Sequence, residues 1–228
     1  MIDRKLEVLP DADAVARRAA EVVAAAAREA IGARGRFTFA VSGGRTPWEM
    51  FRELSAEDVP WDRVGIWQVD ERVAPDGDPD RNLTELASIL PADADLCPMP
   101  VTDADLEAAA ERYAASLPET FDLIHLGMGD DGHTASLVPG DPVLEVTDRD
   151  VALTGEYRGL RRMTFTYPVL GRARAVLWLI TGEDKAPMLR RLLAGDPSIA
   201  AGRVAAASRL VVADAAAASG VDRPSRAR

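Results

Sequence analysis

Between Phe121 and Gly140 the chain reads FDLIHLGMGDDGHTASLVPG, and this stretch limits the fold more than any other. Phe121, Leu123, Ile124 and Leu126 form an apolar run with the length of a buried strand, and Gly127 and Gly129 let the backbone turn at its end. In open parallel sheets, ligands bind just past such strand ends. Asp131, Gly132 and His133 are therefore expected at the mouth of a crevice. Thr134–Leu137 is expected to start a helix whose N-terminal dipole favours negative charge. His133 is one of two histidines. The other, His125, lies mid-strand among apolar neighbours and reads as an interior residue.

The rest of the chain repeats the pattern of strand, polar turn and helix. An Ala-rich helix is expected from Asp11 to Ile31, ending at Gly32. Phe37–Val41 is a strand that leads through Ser42, Gly43, Gly44, Arg45 and Thr46 into a helix beginning near Pro47, which suits a first helical turn. Such a turn is either a simple βα connection or a cradle in which backbone N–H groups meet an anion. It matches neither the Walker pattern nor the dinucleotide fingerprint. Val64–Val69 is a second strand with Asp70, Glu71 and Arg72 at its end, and Arg81 follows a Pro/Asp/Gly loop. Arg81 either folds back onto an anion or caps its own loop. Residues 91–100 read as a linker and Asp105–Leu117 as a helix. Strands are also expected at Val151–Thr154, Arg161–Thr166, Ala175–Thr181 and Leu210–Ala213. Lys185 opens a helix against the dipole's preference, so it either meets an anionic partner or is an ordinary surface lysine.

This alternation predicts a doubly wound α/β fold, a mainly parallel Rossmann-like sheet with helices on both faces. With 228 residues, 47% of them hydrophobic, residues 1–228 are expected to form one domain with a flexible tail from about 221. A formal net charge of −10 argues against nucleic acid and anionic membranes as partners, so an anionic ligand must find a locally basic pocket. No apolar run approaches the ~18 residues of a membrane span, and a signal peptide is not evident, so a cytoplasmic protein is expected. The single cysteine, Cys97, excludes an internal disulfide.

Taken together, SGGRTP, VDERVAP with Asp80-Arg81-Asn82, GMGDDGHTASLVPG, Arg162-Met163-Thr164 and ITGEDKAP resemble the 6-phosphogluconolactonase family, in order and over nearly the whole chain. The resemblance implies a fold shared with glucosamine-6-phosphate deaminases. It also implies hydrolysis of 6-phospho-D-glucono-1,5-lactone to 6-phosphogluconate in the pentose phosphate pathway. No metal and no organic cofactor are expected, and the partner is a small phosphosugar lactone bound by a monomer or small homo-oligomer. Carried over by position, His133 matches the general base and Arg72 an active-site arginine. Ser42, Gly43, Gly44, Arg45 and Thr46 match the phosphate-side loop. Asp70, Arg81, Gly129, Arg162 and Lys185 are further candidates for substrate binding. The family often has prolines before Arg162 where this chain has Gly159-Leu160-Arg161, which leaves open whether Arg161 or Arg162 points inward.

A lactone carbonyl is already electrophilic, so its hydrolysis needs a positioned water, a base and donors for the developing oxyanion. Imidazole suits the base, and Asp131, two residues earlier, is placed to orient it. Two other functions compete with this one. Deaminases of amino-sugar phosphates resemble the chain around Asp-Gly-His but carry a glutamate where Val138 stands. A non-catalytic phosphosugar sensor would be expected to lose the base first.

Overall fold

The computed structural model describes residues 3–221. In chain order the elements are β1 (Asp3–Leu9), α1 (Ala12–Arg34), β2 (Phe37–Val41), α2 (Arg45–Leu54), β3 (Val64–Gln68), β4 (Asp70–Arg72), α3 (Asn82–Ile89) and β5 (Asp95–Cys97). They continue with α4 (Leu106–Ala115), β6 (Leu123–Leu126), β7 (Val151–Leu153), β8 (Arg162–Phe165), α5 (Tyr167–Gly171), β9 (Ala175–Ile180), α6 (Ala186–Ala194) and β10 (Ser208–Asp214).

Seven strands pair in parallel in the order β1-β10-β9-β6-β2-β3-β5. From β2 the chain adds β3 and β5 on one side, then returns to lay β6, β9 and β10 on the other. The direction of winding reverses between β2 and β6. At such a switch point the loops leaving the two strands diverge above and below the sheet and open a crevice at its carboxyl edge.

Alternation along each strand divides the core into two layers. In β9, Val176, Trp178 and Ile180 face one apolar cluster and Leu177 and Leu179 face the other. The buried stripes of α1 and α2, with Leu86 of α3, cover one face of the sheet, while residues of α4, α5 and α6 cover the other. Both faces of the sheet are therefore buried, as an all-parallel sheet requires.

Three differences from the sequence reading have local causes. Helix α1 runs through Gly32 and stops at Gly35, which adopts φ 80° and donates its N–H to Ile31 O at 2.8 Å. Gly32 costs about 1 kcal/mol inside a helix, too little to end one built on so many alanines. Strands β1 and β5 were hidden, β1 by its charged edge-strand sequence DRKLEVL and β5 inside the expected linker. Finally, β7 and β8 do not join the main sheet. They form a separate antiparallel sheet in the order β4-β8-β7, and Arg72 lies directly opposite Arg162 in its register. The residues of the expected tail beyond 221 lie outside the described range.

His125 shows how the strand core meets the turn above it. It is fully buried in β6, and its Nδ1 accepts the Ser42 N–H at 3.3 Å. Burial pushes its pKa down to about 3, so the folded protein holds it neutral. The unfolded chain takes up a proton near 6.5 and the folded chain does not. Stability from this group is thus complete above that pH and falls by about 1.4 kcal/mol for each unit between about 6.5 and 3. Chemical denaturation at stepped pH is expected to show a steeper loss on acidification in the parent than in His125→Gln. Parallel curves would contradict this reading.

Candidate active site

The crevice at the switch point has a volume of about 460 Å³. The β2–α2 turn supplies Ser42, Gly43, Gly44, Arg45 and Thr46, and the loop after β6 supplies Gly127, Gly129, Asp130 and His133. The small antiparallel sheet adds Asp70, Arg72 and Arg162, and the loop after β9 adds Lys185. The reversal of winding between β2 and β6 brings these segments to one edge of the sheet.

The turn after β2 opens on the crevice. Gly44 sits at φ 129°, outside the range of other residues, and caps α2 with no side-chain hydrogen bond and no acid in the first turn. The first amides of α2 thus have no acidic side chain beside them. Ser42 is 5% exposed and its Oγ is buried without a partner among the described residues. A buried hydroxyl without a partner is costly unless something docks on it. Thr46 Oγ1 and Thr181 Oγ1 lie 2.8 Å apart and tie this turn to the loop after β9. Gly43 is held against Asn82, since a Cβ there would come within 1.9 Å of Asn82 Oδ1.

The loop after β6 is not helical. Ala135 adopts φ 51°, Thr134 bridges Leu137, and Gly129 N–H closes onto His133 O at 2.8 Å. The expected helix dipole at Thr134 is therefore absent, and the compact turn positions the histidine instead. His133 Nδ1 is 2.6 Å from Asp131 Oδ1, which also accepts the His133 N–H at 3.0 Å. Burial would raise the Asp131 pKa, but the His133 amide, charge and ring together hold it below its ordinary value. With Nδ1 engaged by a carboxylate, Nε2 is the nitrogen left to act on a ligand. The imidazole lies so close to Gly129 that a Cβ there would meet Nδ1 at 2.1 Å. Asp131 itself stands behind the ring and does not line the crevice.

Five cations line the crevice, Arg45, Arg72, Arg158, Arg162 and Lys185, against the carboxylates of Asp70, Asp130 and Asp184. That excess sits in a chain of formal net charge −10. Lys185 Nζ is 3.1 Å from Asp184, and Arg72 donates to Asp80 O at 3.0 Å and to Asn82 Oδ1. Arg162 is 8% exposed with its Nε unpartnered, whereas Arg161 is exposed, so Arg162 is the inward one. Burial lowers the Arg162 pKa; Asp70 opposes that and the nearby Arg72 adds to it. Like charges facing each other across a ladder are destabilising unless an anion joins them.

Arg81 requires a correction. Its guanidinium does not reach the crevice; it is buried, 3.7 Å from Glu71 and bonded to Asp76. Glu71 attracts it inward because that carboxylate is fully buried and caps α3 through the Asn82 and Leu83 N–H groups, each at 2.8 Å. Ser136, left unassigned by sequence, donates to Asp70 Oδ2 at 2.6 Å and fixes that acid from below. Asn82, Tyr157, Arg158 and Asp214 were missed. Asp214 accepts the Gly182 N–H at 3.1 Å and holds the loop carrying Lys185. Only Asn82 left a sequence signal, as part of the Asp80-Arg81-Asn82 block.

The chain is similar to known proteins in sequence and in fold. The model of the family described as glucosamine-6-phosphate isomerases/6-phosphogluconolactonase matches residues 10–212. A 6-phosphogluconolactonase of Synechocystis sp. is 36% identical over 205 residues, 83% of this chain and 85% of that protein. One from Streptomyces coelicolor is 34% identical and spans 98% of this chain and 94% of its own. The crystal structure of a 6-phosphogluconolactonase from Shewanella baltica superposes with a TM-score of 0.83 at 26% identity, covering 94% of this chain and 98% of that one. The chain belongs to the glucosamine-6-phosphate isomerase/6-phosphogluconolactonase family.

Proposed function

We propose that the protein hydrolyses 6-phospho-D-glucono-1,5-lactone to 6-phosphogluconate, with His133 as the general base that activates water, in the cytoplasmic pentose phosphate pathway. One observation carries the reading: an imidazole backed by Asp131 and a glycine turn with an unpartnered buried hydroxyl open on the same crevice. The phosphate is assigned to Ser42, the amides of Gly44, Arg45 and Thr46, and Lys185. Helix N-terminal amides together with a cation form a common anion site.

With the phosphate so held, the lactone carbonyl lies toward His133. Nε2 removes a proton from water as its oxygen attacks C1, and Asp131 stabilises the imidazolium that results. Arg72 and Arg162 supply positive charge for the oxyanion. As the C1–O5 bond breaks, the imidazolium returns its proton to the ring oxygen, so the base is regenerated. Asp70, held by Ser136, faces the hydroxyls of the sugar and balances Arg162. The deaminase alternative is disfavoured by Val138, a buried apolar residue where that chemistry uses a glutamate.

The test is steady-state acid release from freshly prepared 6-phosphogluconolactone and from unphosphorylated gluconolactone. The phosphorylated substrate is expected to show a much higher kcat/KM. Equal values would remove the phosphate assignment, and no acceleration of either would remove the lactonase reading.

A further inference from the structure

One wall of the crevice comes from the segment between β7 and β8, which the proposed chemistry leaves without a role. Tyr157 and Leu160 pair across a two-residue turn, exchanging backbone hydrogen bonds at 3.0 and 3.3 Å. Arg158 at φ 53° and Gly159 at φ 82° give both central residues a left-handed backbone. Such hairpin turns favour Asn, Asp or Gly at the first position, because a left-handed backbone strains most other residues. An arginine kept in that position needs a compensating contact. It lines the crevice, and its guanidinium lies 5.2 Å from the centre of the Tyr157 ring.

Tyr157 is the centre of this cluster. Arg162 also lies 5.2 Å from the ring centre, so two guanidiniums hold it. The ring meets the His133 imidazole edge-on, with centroids 5.8 Å apart and planes inclined at 67°. Its hydroxyl donates to Asp131 Oδ2 at 3.5 Å, a long hydrogen bond to the oxygen that His133 does not use. Asp131 is thus held at both oxygens, by His133 at Oδ1 and by Tyr157 at Oδ2.

We propose that Tyr157 is a positioning residue for the His133–Asp131 pair, held over it by Arg158 and Arg162. The inference rests on the lactonase reading. Without the hydroxyl the carboxylate is held through Oδ1 alone, and the imidazole that aims Nε2 at the water is less firmly oriented. Without the ring, the edge contact that limits tilt of the imidazole is lost as well. Arg158 tolerates its left-handed backbone because its guanidinium completes the clamp.

Turnover of 6-phosphogluconolactone by the unmodified protein is measured first, and its absence would defeat the lactonase reading rather than this inference. In an active protein, Tyr157→Phe keeps the ring and removes only the hydroxyl. Its kcat is expected to fall about tenfold with KM little changed, the usual scale for a hydrogen bond to a charged acceptor. The acid limb of its rate profile should move to higher pH, because the pair takes up a proton more readily once a donor to its anionic member is gone. Arg158→Gly relieves the backbone strain, so its melting temperature should not fall while its kcat falls in the same direction. A Tyr157→Phe enzyme with parental kcat and an unmoved acid limb would overturn the proposal. So would a loss of rate accompanied only by a lower melting temperature.

Discussion

His133→Ala is expected to lower kcat by about 10² to 10⁴ while the protein stays folded and still binds 6-phosphogluconate. The magnitude is that of a general base, since the glycine turn and the arginines remain to hold the ligand. Folding should survive because the ring is an addition to the loop rather than part of the core. The loop closes through backbone contacts, with Gly129 N–H on His133 O and Thr134 Oγ on Gly127 O at 2.8 Å. Asp131, freed of the ring, keeps 35% of its side chain exposed and is solvated by water rather than left as a buried charge. Stopped-flow acid release and titration with 6-phosphogluconate separate the two effects. Turnover near the parental rate would remove His133 from its role.

Glu71→Ala is expected to give the largest loss of stability, about 3 to 5 kcal/mol, the usual cost of removing one partner from a buried charged pair. Glu71 is 0% exposed, and its carboxylate accepts from Gln68 Nε2 at 2.7 Å and from the amides of Arg72, Asn82 and Leu83 at 2.8 Å each. Its removal orphans those donors and leaves the Arg81 guanidinium buried beside only the exposed Asp76. For a chain of this size the melting temperature should drop by roughly 6 to 20 °C. Activity should fall too, because Asn82 orients Arg72 and packs on Gly43. Glu71→Gln should lose less, since its carbonyl oxygen still accepts. A melting temperature close to the parental value in Glu71→Ala would contradict the account of this network.

The doubly wound architecture was legible because each buried strand is an apolar run closed by glycine, acid or proline, and the same punctuation pointed to Ser42–Thr46 and Gly127–His133. What sequence hid depends on distance along the chain. Whether Arg161 or Arg162 turns inward is decided by pairing of β8 with β4, some ninety residues earlier, and nothing local to the arginines records it. Arg81 looked like an anion ligand because it lies in a polar loop, yet the buried carboxylate of Glu71 draws it inward. Thr134–Leu137 has helix-forming composition, but Gly132 and the left-handed Ala135 fold it into a turn. Tyr157 and Arg158 sit in a stretch with no periodicity, and their place beside His133 exists only after β7 and β8 have paired.

The most direct test of the whole account is the crystal structure of the protein with 6-phosphogluconate bound. The phosphate is expected on the Ser42–Thr46 turn with Lys185, and the carboxylate at C1 facing His133 Nε2 between Arg72 and Arg162. A ligand bound in the opposite sense, with its phosphate against His133, or a ring turned away from C1, would contradict it.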